Sequence, residues 1–310
     1  MAGSAPGGNG LNMTRAWRLA PPRASFPRRG WLGLVFIAVF WPINWFWPGL
    51  RTHWAFFPLW LGYALTVDAL AYRWRGTSLY ARNPRAYVAL FFISAPAWWL
   101  FEAFNARLGN WVYVGREFFS DAEYAFWATL SFSTVMPAVF GASEWLTGVF
   151  AGYPWARRGP RLVLGPRGLW SMFALGWLAL ALLLAWPRYF YPLVWAAVYL
   201  ILEPVNAWLG NRTLLEHLRQ GDWRPVVALT VGVWFTAFFW EMWNVFSYPK
   251  WVYHVPFVQF WHVFEMPLLG YLGYPPFALE LFALYHFVAG LAGHGRTRYL
   301  IAGLLPVDER

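Results

Sequence analysis

The chain has 310 residues, of which 59% are hydrophobic, 22% aromatic and 12% charged, with a net charge of +10 and no cysteine. An ordinary soluble domain carries about 25% charged and 45–50% apolar residues, so the composition indicates an integral membrane protein. The absence of cysteine excludes disulfides, thiolate metal sites, iron–sulfur clusters and thiol nucleophiles.

Residues 1–27 are rich in Gly, Pro and Arg and have no apolar core of their own. They read as a disordered cytoplasmic tail, not a cleavable signal peptide. Eight apolar runs follow, at 31–48, 55–72, 87–105, 123–151, 168–187, 189–209, 225–244 and 257–293. About 20 apolar residues span the ~30 Å hydrocarbon core of a bilayer. The last run is too long for one straight span. It holds Gly270, Gly273, Pro275 and Pro276, so it is either one broken span or two. Pro137, Pro204, Pro267, Pro275 and Pro276 are expected to kink their segments.

Of the 24 basic residues, nineteen lie in the N-terminal tail, in alternate loops and in the C-terminal segment, and five in the opposite loops. The positive-inside rule then places both termini in the cytoplasm, in the cytoplasmic (inner) membrane of a bacterium or archaeon. The positive charge reports topology. A nucleic-acid partner would require a basic face on a folded module.

The sequence also repeats. Arg85, Val88, Ala89 and Leu90 match Arg224, Val227, Ala228 and Leu229 at an offset of 139, and Phe101-Glu102-Ala-Phe104-Asn105 matches Trp240-Glu241-Met-Trp243-Asn244 at the same offset. One residue of slippage later, Trp111-Val112-Tyr113 matches Trp251-Val252-Tyr253. Asp68 and Glu203 lie at similar places in the two halves, as do Glu144 and Glu280. This predicts an all-α polytopic protein of about eight transmembrane helices, built as a tandem duplication of a four-helix unit. The first repeat covers 28–152, a basic cytoplasmic linker 153–165, the second repeat 166–293 and a cytoplasmic tail 294–310.

Seven of the fourteen acidic residues fall inside these runs: Asp68, Glu102, Glu144, Glu203, Glu241, Glu265 and Glu280. A carboxyl in hydrocarbon must pair with a cation, bind a metal or keep its proton. No Lys or Arg shares these stretches, so no ion pairing is predicted. Intramembrane ionisable groups are functional-site candidates by default. The repeated ones stand first: Glu102 and Glu241, each with an amide one turn later, Asn105 and Asn244, meeting at a pseudo-two-fold axis. Trp111, Tyr113, Trp251 and Tyr253 would form either an interfacial aromatic belt or a substrate lid. His262 and Glu265, three residues apart on one predicted helical face, are secondary candidates with Glu280, Glu144, Asp68 and Glu203.

No HExxH metal motif, P-loop, dinucleotide-binding glycine pattern or GxSxG elbow occurs. No metal site is assigned, and no cofactor is legible. The expected partners are the lipid bilayer and an apolar small-molecule or lipid substrate. Three functions compete: an enzyme doing acid–base chemistry on an isoprenoid or other lipid, a proton- or cation-coupled transporter or channel, and a structural or assembly subunit. The spans carry little Ser, Thr, Asn or Gln besides the carboxyls, which favours an apolar chamber and hence the enzyme.

Overall fold

Helices dominate because most of the chain is made of long apolar segments whose backbone groups must be satisfied internally in lipid. The computed structural model describes residues 22–149, 156 and 158–304. The predicted N-terminal tail up to residue 21, residues 150–152 of the first predicted repeat, 153–155 and 157 of the linker, and 305–310 of the C-terminal tail lie outside the described residues.

In chain order the helices are α1 (Arg28–Phe46), α2 (Thr52–Arg75), the short α3 (Leu79–Arg82), α4 (Pro84–Leu108), α5 (Asp121–Phe132) and α6 (Val135–Val149). They continue with α7 (Pro166–Ala185), α8 (Pro187–Phe190), α9 (Ala197–Trp208), α10 (Leu214–Leu218), α11 (Arg224–Val245), α12 (Tyr274–Leu291) and α13 (Tyr299–Leu304). Four short strands interrupt them: β1 (Trp111–Val114), β2 (Lys250–Tyr253), β3 (His262–Val263) and β4 (Met266–Pro267). The described chain is predominantly helical, with several apolar helices of the kind that cross membranes.

Among the described residues six helical segments are long and apolar enough to cross a membrane: α1, α2, α4, α5 with α6, α7 and α11; the segment 187–195 with α9, bent by 42°, makes a seventh if taken as one span. The predicted eighth run, 257–293, instead folds as strands β3 and β4, a 3-10 turn at Leu268–Gly273 and the 18-residue α12. Pro275 and Pro276 lie in the first turn of α12 and do not kink it, because a proline there loses no intrahelical hydrogen bond.

The spans differ in how they face lipid. α1 and α7 bury little of their length inside the protein, whereas α2 buries more than half of its apolar stretch. On α1 the exposed Trp31, Val35 and Val39 repeat every four residues, and on α7 the exposed Trp170, Trp177 and Leu184 repeat every seven, so each helix turns one apolar stripe outward. α1 lies tightly on α2: a Cβ at Gly33 would come within 2.7 Å of the Gly62 carbonyl oxygen. The break between α5 and α6 is satisfied by Ser94, whose hydroxyl donates to Phe132 O at 2.6 Å and accepts from Met136 N at 3.1 Å.

The expectation that the intramembrane acids lack basic partners is wrong for three of them. Arg29 Nε donates to Asp68 at 2.8 Å, Arg82 pairs with Glu144, and Lys250 pairs with Glu265. Each base lies at the end of a helix or in a connection, so counting charges span by span misses it; folding brings it over a neighbouring span, and its long stem carries the charge inward. Two other acids cap helices. Glu203 accepts from Leu215 N at 2.8 Å and Glu280 from Val198 N at 3.1 Å, satisfying N–H groups orphaned at the starts of α10 and α9. Asp68 does the same for α3 through Tyr80 N at 2.9 Å.

The predicted tails are also partly built in. Arg23 N and Ala24 N both donate to Arg73 O, at 2.7 and 3.0 Å. Residues 299–304 form α13, whose Tyr299 hydroxyl donates to Leu79 O at 2.9 Å and whose Leu300, Ile301 and Leu304 are buried.

Asp222, in the turn before α11, accepts from Arg224 N at 3.1 Å, Arg224 Nε at 2.7 Å and Arg224 Nη2 at 2.8 Å. Burial works to raise its pKa, but the hydrogen bonds from Arg224 and His217 outweigh it and hold the carboxyl well below the usual range. Its folded value is therefore below the unfolded one of about 3.9. The stability it contributes is full above that pH and is lost as pH falls through the folded value. Asp222→Asn is expected to lower stability at pH 7 by about 1–2 kcal/mol and to flatten the acid limb of a thermal-unfolding series. An unchanged acid limb would remove this role.

Candidate functional site

The two repeated motifs converge on one antiparallel ribbon. β1 pairs with β2 in the register Trp111↔Tyr253, Val112↔Val252 and Tyr113↔Trp251. The pairing is centred on the two valines, so each Trp lies opposite the other motif's Tyr. Strand side chains alternate: Trp111 and Tyr113 share one face, and Val112 stands exposed on the other. The sequence predicted no strand here. Each motif alone is too short to announce one, and its partner lies some 140 residues away.

The predicted amides anchor this ribbon. Asn105 Nδ2 donates to Trp111 O at 2.8 Å, and its Oδ1 accepts from Asn110 N at 2.9 Å and Trp111 N at 3.2 Å. Asn244 repeats the arrangement on the second helix, donating to Trp251 O at 2.7 Å and accepting from Trp251 N at 3.0 Å. Both amides are committed to backbone groups and hold the strands in place. Replacing either by Ala leaves buried strand groups unsatisfied and is expected to cost about 1–3 kcal/mol. Thermal unfolding in detergent measures this, and a loss below about 0.5 kcal/mol in both variants would contradict it.

The predicted acids receive the ribbon's aromatic side chains. Glu102 Oε1 accepts from Tyr113 Oη at 2.6 Å, Trp98 Nε1 at 2.9 Å and Trp111 Nε1 at 3.0 Å. Glu241 Oε1 accepts from Tyr274 Oη at 2.6 Å and Tyr253 Oη at 2.7 Å, and Trp251 Nε1 donates to Tyr253 Oη at 2.9 Å. Burial and the adjacent carboxyls push the Tyr113 and Tyr253 hydroxyls well above the usual phenol range, so both keep their protons and serve as donors. Among the described residues Glu102 and Glu241 share no hydrogen bond; each sits in its own cage of donors.

The two cages are not equivalent. Glu102 is half-buried, whereas Glu241 is fully buried and its Oε2 has no hydrogen-bond partner among the described residues. Glu241 also borders a cavity of about 460 Å³, within the range of small-molecule pockets. Tyr253 and Tyr274 border it too, with Trp98, Trp111, Trp195 and Trp240. These rings pack closely; Trp111 and Trp195 stack at 6.0 Å with 21° between their planes, and Trp195 meets Phe277 edge-on at 5.5 Å. A further polar atom at this cavity, Asn110 Oδ1, is buried without a partner among the described residues, and His53 also borders it. The His53 ring lies edge-on to Phe119 and Trp127, both at 5.1 Å.

Chemically, this is a carboxyl with one oxygen unpaired, two phenol donors on the other, and aromatic faces around it. Such a site can exchange a proton with a bound molecule and stabilise a positive charge by cation–π attraction.

The remaining predicted residues make other contacts, away from this cavity. Asp68 and Glu144 are held by Arg29 and Arg82, and Glu203 and Glu280 cap helices. His262 and Glu265 do not share a helical face, because 257–267 is not helical: Phe257, Trp261 and Phe264 adopt positive φ. His262 is exposed and bonds Gln259 at 2.9 Å, while Glu265 pairs with Lys250. Among the described residues no group of three His, Asp or Glu side chains could hold a metal ion.

Sequence reasoning missed His53, Asn110, Trp98 and Tyr274. Trp98 was within reach, since it stands four residues before Glu102 on the same helical face. Asn110 was within reach too, directly before Trp111 with its N–H held by Asn105; His53 and Tyr274 arrive through long-range packing and leave no local signal. Comparison with protein-family models, curated proteins and solved structures finds no match to this chain.

Proposed function

We propose that the protein is a membrane-embedded enzyme that performs acid–base chemistry on an isoprenoid or other apolar lipid, with Glu241 as the proton-exchanging group. The observation that carries this reading is the aromatic cavity bordered by Glu241, whose Oε2 is buried and unpartnered among the described residues. Tyr253 and Tyr274 hold the carboxyl and border the same space, so they can pass a proton or fix the rotamer. The Trp faces would lower the energy of a cationic transition state in an apolar substrate. Glu102, in its matching cage, plays the supporting part.

The same reading takes the chain as two four-helix units of parallel orientation, at 28–152 and 166–293, with both termini cytoplasmic and the ribbon on the opposite side. The ribbon's register about Val112 and Val252 supports it. So does a second correspondence: Asp68 and Glu203 each accept a backbone N–H twelve residues on, beside the capping hydroxyls of Ser78 and Thr213. A proton- or cation-coupled transporter is the alternative, and a structural or assembly subunit the second. The largely aromatic lining supports the enzyme over both.

The test is an unbiased lipid and pigment profile of cells carrying wild-type protein, Glu241→Gln or no protein. The enzyme reading requires a lipid species changed by wild-type alone. An unchanged lipid profile with altered solute uptake would favour the transporter.

A further inference from the structure

We propose that the cavity is loaded sideways from the bilayer, by the hydrocarbon tail of a lipid in the leaflet on the ribbon side. The mouth lies between Pro192 and the 3-10 turn Leu268–Gly273. This rests on the cavity being a lipid site, and it adds the route and the physical form of the substrate.

Three of the residues that border the cavity stand exposed: Pro192, Leu269 and Leu272. All three are apolar, and Leu272 is 64% exposed. Through the mouth they form, a water-soluble substrate would meet only hydrocarbon, whereas an acyl or isoprenoid tail would lose water-facing or lipid-facing area at no polar cost. The polar atoms without partners among the described residues, Glu241 Oε2 and Asn110 Oδ1, belong to buried residues of the same cavity. A lipid would therefore present its tail to the mouth and its reactive group to the interior.

The residues that lead to the mouth follow the outward-facing α7 along the chain. α7 turns one apolar stripe outward, and the chain runs on through the exposed Trp186 to Tyr189, which stacks on Phe257 at 5.9 Å. Arg188 lies over the other partner of this stack, 5.5 Å from the Phe257 ring centre. Beyond Phe257 the connection to α12 exposes Trp261 by 76%. Aromatic side chains of this kind concentrate at the membrane interface, where the ring is partly in hydrocarbon and partly near the headgroups.

Backbone strain marks the same segment. Phe257, Trp261 and Phe264 have φ of +66°, +50° and +59°. Left-handed conformations are costly for bulky residues and persist where surroundings over-determine them, commonly at ligand clamps. Three within eight residues, beside the mouth, fit a segment shaped by a lipid environment and by what passes it.

The native chain has no cysteine, so single-cysteine variants need no background removal. Trp261→Cys, Leu272→Cys and, as a control in an exposed turn, Gln220→Cys are labelled with a fluorophore and placed in phosphatidylcholine vesicles. The vesicles carry nitroxide-labelled acyl chains, or iodide is added to the water. Positions 261 and 272 should be quenched several-fold more by the lipid nitroxide than by iodide, and position 220 the reverse.

Phosphatidylcholine bearing a photoreactive tail should then give adducts on Trp195, Leu269 or Phe277, reduced several-fold by Leu272→Trp. Iodide quenching at 261 and 272 equal to that at 220 would overturn the proposal. So would adducts confined to α1 and α7. Neither readout needs turnover: adducts in the cavity with a fully active Glu241→Gln would retain the route and discard the acid–base site, and the opposite pattern would do the reverse.

Discussion

In membranes carrying Glu241→Gln, the protein is expected to accumulate at the wild-type level while the lipid extract matches that of cells without it. Gln keeps the shape of Glu241 and an oxygen for the Tyr253 and Tyr274 hydroxyls, which now donate at 2.7 and 2.6 Å. It cannot exchange a proton. General acid–base groups contribute about 10²–10⁴-fold to rate, so the loss should fall in that range. Tyr274→Phe removes one donor to Oε1 and is expected to slow turnover about tenfold, the equivalent of one modest hydrogen bond. Glu102→Gln should be milder than Glu241→Gln, since Glu102 is outside the cavity wall. Equal activity of wild-type and Glu241→Gln would make this carboxyl a strut between helices.

The largest stability effect is expected at the opposite end of the bundle. Arg82 Nη1 donates to Glu144 Oε2 at 3.0 Å, Nη2 bonds Oε1 of the same carboxylate, and Nη2 also donates to Tyr299 O at 2.9 Å. The Glu144 side chain is 1% exposed. This one guanidinium joins α3, α6 and α13. Removing a single member of a buried pair strands the other charge and costs about 3–5 kcal/mol. Arg82→Met should therefore destabilise by that amount in a detergent-unfolding assay. Arg82→Met combined with Glu144→Leu should recover part of it, because no buried charge remains unpaired. A single variant within about 1 kcal/mol of wild-type would show that the pair is solvated or dispensable.

The sequence made some of this site legible and concealed the rest for identifiable reasons. Glu102, Asn105, Trp111 and Tyr113, with Glu241, Asn244, Trp251 and Tyr253, were legible as a repeated set. In the structure they meet at one ribbon, joined by hydrogen bonds of 2.6–3.2 Å. That the two motifs pair with each other was not legible, because strand pairing across some 140 residues is decided by the helices that carry the strands. Ion pairing was missed at Asp68, Glu144 and Glu265 for a different reason. Arg29, Arg82 and Lys250 stand at span ends and in connections, and a count of charges along each span cannot see a neighbour that folds over it. His53 and Tyr274 carry no motif. Their significance comes only from the cavity that α2, the ribbon and α12 enclose. The long apolar run at 257–293 misled because hydropathy alone does not distinguish a span from an interfacial loop; its Pro and Gly residues were the warning, and the strained aromatics at 257, 261 and 264 show where the helix fails.

The central claim is that Glu241 exchanges a proton with an apolar molecule held in the aromatic cavity. The most direct test places wild-type and Glu241→Gln protein in vesicles made from the lipid extract of cells lacking the protein, in deuterated buffer. Mass spectrometry then follows every lipid species. Wild-type protein is predicted to convert one species to a product that carries solvent deuterium, and Glu241→Gln to leave the extract unchanged. Conversion with deuterium uptake by both proteins at the same rate would contradict the account.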